Sequence, residues 1–199
     1  MRIVTVFLMV ALTAATVVAQ QAVPPPPQPP ANGPTLATTM QFIQDKLNDI
    51  GKISFVMFEQ IASIGSTGAE AEVHQTVPLT NEISNVVADQ NQCRISYHRK
   101  FTFNGKTYMD ENSVFSLRDV QDIVIMPYEQ DQKEWDPKNN YPNEIITSTS
   151  PPITALVVHR PHGEENTFRF TDANLADRVA KALVHAVELC GGGSKPEPF

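Results

Sequence analysis

The sequence predicts an α+β domain: a mainly antiparallel β-barrel or rolled sheet of about seven strands, capped by a C-terminal amphipathic helix and preceded by an extra N-terminal helix. Three observations carry that prediction. From Lys52 the apolar period changes to two and strand formers become frequent, as in β-strands. Residues 35–50 and 172–190 instead repeat at steps of three and four, the spacing of one helix face. Asn104-Gly105 separates RISYHRKFTF from KTYM, and both turn residues tolerate positive φ, which marks a hairpin.

The domain does not begin at residue 1. MRIVTVFLMVALTAATVVA has one basic residue, Arg2, then an uncharged apolar run, then small residues at Val17-Val18-Ala19. This is the pattern of a signal peptide, residues 1–19, with cleavage expected near Ala19 and an exported protein, periplasmic or extracellular, as the product. An uncleaved membrane anchor is the alternative. Residues 20–34, QQAVPPPPQPPANGP, hold seven prolines. They read as a disordered, extended polyproline linker, with a PxxP-type docking ligand as the functional alternative. Setting aside Arg2 leaves 14 basic residues against 22 acidic ones, a net charge of −8. That balance argues against nucleic acid and anionic membrane surfaces as partners, since both are bound by lysine and arginine. No stable membrane insertion is expected after cleavage.

A single globular domain is expected over 35–190. Its first helix presents Leu36, Met40, Ile43, Leu47 and Ile50 on one face, with Thr35 or Thr38 as cap and Gly51 as terminator. KISFVMFEQI is apolar on both faces and reads as a well-buried strand. After the loop GSTGAEAE, strands are expected at 73–77, 82–88, 93–103, 106–109 and 113–117, then in DVQDIVIMPY, ITALVVHR and ENTFRFT. EQDQKEWDPKNNYPNE reads as a polar, proline-broken loop. The last helix starts at Thr171 or Asp172, which can cap it. Its apolar face runs through Leu175, Val179, Leu183, Ala186, Val187 and Cys190, and Gly191–Gly193 end it before the polar tail 191–199.

Cys93 and Cys190 are the two cysteines, each at an element end. Two cysteines allow one intramolecular pairing, and export places them where thiols oxidise, so a disulfide is expected. Buried thiols or a reactive thiol are the alternatives.

Candidate chemistry is sparse. His159 and His162 in VVHRPHGEE are weak candidates for metal binding, because protein zinc sites take three or four ligands and only this pair is marked. Glu129, Asp131, Glu134, Asp136 and Asn139 cluster in the polar loop without the spacing of a calcium loop, and read as solvated. Trp135, with Tyr128 and Tyr141 on either side, is the candidate partner-binding group, since indole couples a large apolar area to one donor. Folding back over the barrel mouth is the other reading of Trp135. There is no Gly-x-Ser-x-Gly, His-Glu-x-x-His or glycine-rich phosphate loop, so no catalytic residue and no cofactor is expected.

About seven strands closed by one C-terminal helix, over residues 51–190, resemble the pleckstrin-homology-like superfold. ELCGGGSKPEPF, FSLRDVQDIVI and EISNVVADQNQCRISYH are also similar to a family of small exported bacterial proteins of unassigned function. The superfold implies phosphoinositide binding through basic residues in the first hairpin loop. Here the corresponding IGSTGAEAEVHQTVPLTNE has no lysine or arginine and three glutamates, so phosphoinositide binding is not expected. A cystatin-like fold is the alternative architecture. The function expected is a non-catalytic exported domain that binds or scaffolds an unknown protein. A carrier of a small hydrophobic ligand is the second reading, and an enzyme with scattered catalytic residues the third.

Overall fold

The structure, a computed structural model, describes residues 33–64, 70–135 and 144–193, with the side chains of 60–73 and 133–147 outside that description. The expected signal peptide and nearly all of the proline linker therefore lie outside the described residues. The chain divides into Met1–Gly33 and Pro34–Phe199. All described elements belong to the second unit: α1 (Leu36–Ile50), β1 (Lys52–Ile64), β2 (Glu70–Asp89), β3 (Arg94–Phe103), β4 (Lys106–Ser116), β5 (Asp122–Pro127), α2 (Tyr128–Trp135), β6 (Glu144–Ser150), β7 (Thr154–His159), β8 (Glu165–Phe170) and α3 (Ala173–Cys190).

The class is α+β with antiparallel pairing, but the strands do not close into the expected barrel. They form a five-stranded sheet in the order β4-β3-β2-β1-β6 and a three-stranded sheet in the order β5-β7-β8. The division falls at Leu117–Asp119. There a 3₁₀ turn, capped by Ser116 Oγ accepting from Arg118 N, carries the chain away from β4. β5 consequently pairs with β7, not β4.

Several expected strands change in extent. The runs at 73–77 and 82–88 are one strand, β2, that passes through Pro78. Pro78 O accepts from Asn104 N at 2.9 Å, so the missing Pro78 N–H faces the same side, just beyond the last β2–β3 pair, Leu79 with Phe103. The proline thus removes no ladder bond to β1. Further along, the register slips between Ser84 and Val87, and Asn85 takes φ 53°. This bulge is where α1 attaches. Asn48 exchanges two hydrogen bonds with the Val86 backbone (3.0 and 3.1 Å), and Gln44 Oε1 accepts from Ala88 N. The runs 106–109 and 113–117 likewise merge into β4. KISFVMFEQI is buried on one face only, since Phe55 and Met57 are covered while Phe58 on the other face is 39% exposed.

Two elements depart from the sequence reading outright. Tyr128, the end of an expected strand, and residues 129–135 of the expected loop are helix α2, and residues 144–150, where no strand was expected, are β6, which extends the large sheet beyond β1.

Directly opposed residues share a sheet face. The pairs Phe55–Leu79, Met57–Val77, Asn81–Phe101, Ile83–Arg99 and Phe101–Met109 therefore place one continuous surface on the large sheet. At one end of it, Ile83, Val86, Ile95, Tyr97 and Phe115 pack with α1, with Leu156, Phe168 and Phe170 of the small sheet, and with the Val179–Leu183–Val187 stripe of α3. At the other end, Phe55, Met57, Val77 and Leu79 pack with Tyr128 and Ile153.

The first of these ends is tied covalently. Cys93 and Cys190 form a disulfide with Cα atoms 5.8 Å apart and a sequence separation of 97. Such a bond fits an oxidising, exported environment. Around it, Gly191 takes φ 76°, and the N–H groups of Gly191 and Gly192 cap the carbonyls of Glu188 and Val187. Gly193 N then donates to Val120 O, and a Cβ on Gly192 would lie 2.2 Å from Leu117 O. Among the described residues no helix is long and apolar enough to cross a membrane.

A candidate ligand cavity on the large sheet

Between the two packed ends lies a cavity of about 650 Å³, within the range of roughly 300–1,000 Å³ in which small-molecule sites fall. The large sheet supplies one wall through Met57, Ile83, Phe101 and Phe103, α2 supplies Tyr128, Asp131 and Gln132, and β8 supplies Glu165, Thr167 and Arg169. Strand alternation explains the β8 set. Asn166, Phe168 and Phe170 point into the core, which turns residues 165, 167 and 169 toward the cavity. Tyr108 and Met109 both line it although they are neighbours in sequence. Phe101 pairs with Met109 and Thr102 with Thr107, so Tyr108 is the extra residue of a β-bulge and strict alternation is broken there. Tyr108, 61% exposed, and Glu165 mark the mouth, whereas Met57, Asn81, Tyr128 and Asp131 are buried and mark the floor.

The floor is polar at one place. The Arg169 guanidinium carbon lies 5.3 Å from the Tyr128 ring centre and 5.5 Å from that of Phe101, a cation–π contact with each ring. Its Nη1 donates to Asn81 Oδ1 at 3.4 Å and its Nη2 to Asp131 Oδ2 at 3.5 Å. Both distances lie beyond the usual 2.7–3.2 Å of such bonds. Arg169 Nε and Asn81 Nδ2 are buried without a hydrogen-bond partner. Tyr128 is set edge-on to Phe55 at 5.2 Å. Burial pushes its hydroxyl up to about 12; the charge of Arg169 works against that rise, and the carboxylates of Asp131, Glu59 and Glu129 add to it.

The remaining charges at the wall are occupied. Arg99 donates twice to Glu111, and Glu165 Oε1 meets His159 Nδ1 at 3.0 Å. The lining therefore combines a largely apolar surface with an Arg169–Asp131 pair at the floor and no excess of either sign.

The residues singled out from sequence are dispersed relative to this site. Tyr128 lies on the cavity floor, 1% exposed, and not on the outer surface. Trp135 ends α2, but its side chain, like the whole of Tyr141, lies outside the described residues. Asp131, expected in a solvated loop, is 5% exposed beside Arg169. His159 pairs with Glu165 at the rim, and His162 sits in the exposed turn Pro161–Gly163 with φ 65°. Among the described residues no three His, Cys, Asp or Glu side chains gather as a metal site requires. Sequence reasoning missed Asn81 and Arg169. The one available signal was an arginine enclosed by Phe168 and Phe170, which on an edge strand reads as the solvent face.

Comparison with protein-family models, with curated proteins and with solved structures finds no match to this chain.

Proposed function

We propose that the protein is an exported binding protein that holds a small, mainly apolar molecule in the cavity beside α2, without transforming it. The observation that supports this reading over protein scaffolding is the cavity itself: about 650 Å³ of space walled largely by Met57, Ile83, Phe101, Phe103 and Tyr128. The pleckstrin-homology-like likeness stands here as part of the proposal, resting on element order alone: strands, then one closing helix.

The test is binding of N-phenyl-1-naphthylamine, an uncharged dye whose emission rises in apolar surroundings. The wild-type domain should enhance its fluorescence with saturable binding. Thr167→Tyr, which fills the cavity from β8, should weaken that binding at least tenfold while its thermal melt stays within a few degrees. No enhancement, or equal binding by both proteins, would overturn the proposal.

A further inference from the structure

Resting on that reading, we infer that the ligand is an uncharged molecule whose apolar body ends in a carbonyl-type acceptor, as in an amide or ester, received by Arg169 and Asn81. The inference starts from two donors that have no acceptor. Arg169 Nε and Asn81 Nδ2 are both buried and unpartnered, on residues that line the same cavity. The orientation of Asn81 is not free. Its Oδ1 accepts from Arg169 Nη1, and turning the amide over would set two donors against each other. Nδ2 is therefore the amide atom left as a donor without an acceptor. Arg169 is confined between the Phe101 and Tyr128 rings, and its two bonds are long. A carbonyl oxygen has two lone pairs and no donor, which is the complement of these two N–H groups. Both N–H groups are covered as the side chains stand, so receiving the carbonyl requires Arg169 and Asn81 to shift.

Charge selects against the two ionised heads. The floor already pairs one cation, Arg169, with the buried Asp131, and Glu59 is a second acid buried nearby. The other lining cation, Arg99, is engaged by Glu111. Among the described residues a carboxylate entering here would find no cation that is not already paired, and an ammonium would meet Arg169 directly; both are penalised away from water. A neutral acceptor meets the donors and leaves the charge balance unchanged.

Decanamide, decanoate and decylammonium share a tail and differ in head, and each can displace N-phenyl-1-naphthylamine at pH 7.4. Decanamide should bind at least tenfold more tightly than either ion. Asn81→Leu and Arg169→Lys should each weaken decanamide at least fivefold more than they weaken the dye. Asn81→Leu carries the test if Arg169→Lys melts early. Decanoate binding as well as decanamide, or decanamide affinity unchanged in the variants, would overturn the assignment of the head while leaving the cavity reading intact. Failure of the wild-type protein to bind the dye or any of the three would overturn both.

Discussion

The two ends of one sheet face are built differently. At the α3 end, Ile95, Tyr97 and Phe115 of the large sheet meet the Val179–Leu183–Val187 stripe and Phe168, and a disulfide with a glycine cap locks the helix end against Cys93 and Leu117. Tyr97, the main polar group facing this core, receives a 2.8 Å hydrogen bond from Asn166 Nδ2. Near the α2 end the same face carries a cavity whose floor holds an arginine with long bonds and two unmatched donors. The first end uses its contacts for stability. Both ends bury polar atoms that lack a hydrogen-bond partner, Thr39 Oγ1 and Asn166 Oδ1 at the first and Asn81 Nδ2 and Arg169 Nε at the second; the second pair sits on residues that line a cavity, where a ligand could meet it.

The contrast is broken most directly at the disulfide. A bond closing 97 residues restricts the unfolded chain by about 4–5 kcal/mol in the loop-entropy picture. Reduction, or the pair Cys93→Ala with Cys190→Ala, should lower Tm by roughly 10–20 °C in a circular-dichroism melt. Dye affinity at 20 °C should stay within twofold, because the cavity walls do not include either cysteine. A large loss of binding in the folded, reduced protein would show that the two ends are not separable.

A smaller effect is expected at Gly192. Its Cβ would press on Leu117 O at 2.2 Å, backbone against backbone, so the tail must lift. Gly192→Ala should cost about 1–3 kcal/mol in urea unfolding. Met109→Leu at the cavity wall, a volume-conserving swap, should cost under about 1 kcal/mol. Reversal of that order would remove the distinction between a tight end and an open one.

The smallest signal lies in alkaline titration. Burial holds the Tyr128 hydroxyl at about 12 in the folded protein, against an ordinary value of 10.0. A raised folded value means the stabilisation is fully present below pH 10 and is lost as pH rises through 10 to 12. Absorbance at 295 nm should show late-ionising tyrosine that diminishes in Tyr128→Phe, with Tyr97, also raised chiefly by burial, contributing the rest. Loss of absorbance change near pH 10 in Tyr128→Phe, with the late phase intact, would place Tyr128 in water.

Much of the frame was legible because its signals are local. α1 and α3 announce themselves by apolar spacing, Thr35 and Asp172 by capping chemistry, and Asn104-Gly105 by its positive φ values of 46° and 76°. The Cys93–Cys190 pairing followed from a count of two in a chain expected to be exported. The misses share a cause. α2, YEQDQKEW, is made of good helix formers but has no apolar stripe, so periodicity could not find it. β6 is rich in serine and threonine and stops at two prolines, which reads as loop. Pro78 looked like a strand break because its side of the ladder is unknowable without the partner strand. Arg169 looked solvated because α2, which brings Tyr128 and Asp131 beside it, was not recognised as a helix.

By itself the sequence determined α1 and α3, their caps, the class of the sheet and the two sulfur atoms that meet. These depend on spacing, on single-residue conformational preference and on elimination, all of which act along the chain. Only the tertiary structure decided that the strands split into two sheets, that a bulge turns Tyr108 and Met109 toward one cavity, and that Asn81 and Arg169 share its floor. Those outcomes depend on which strand edge finds which partner, a choice made by packing between residues as far apart as 81 and 169 and not encoded in either neighbourhood alone.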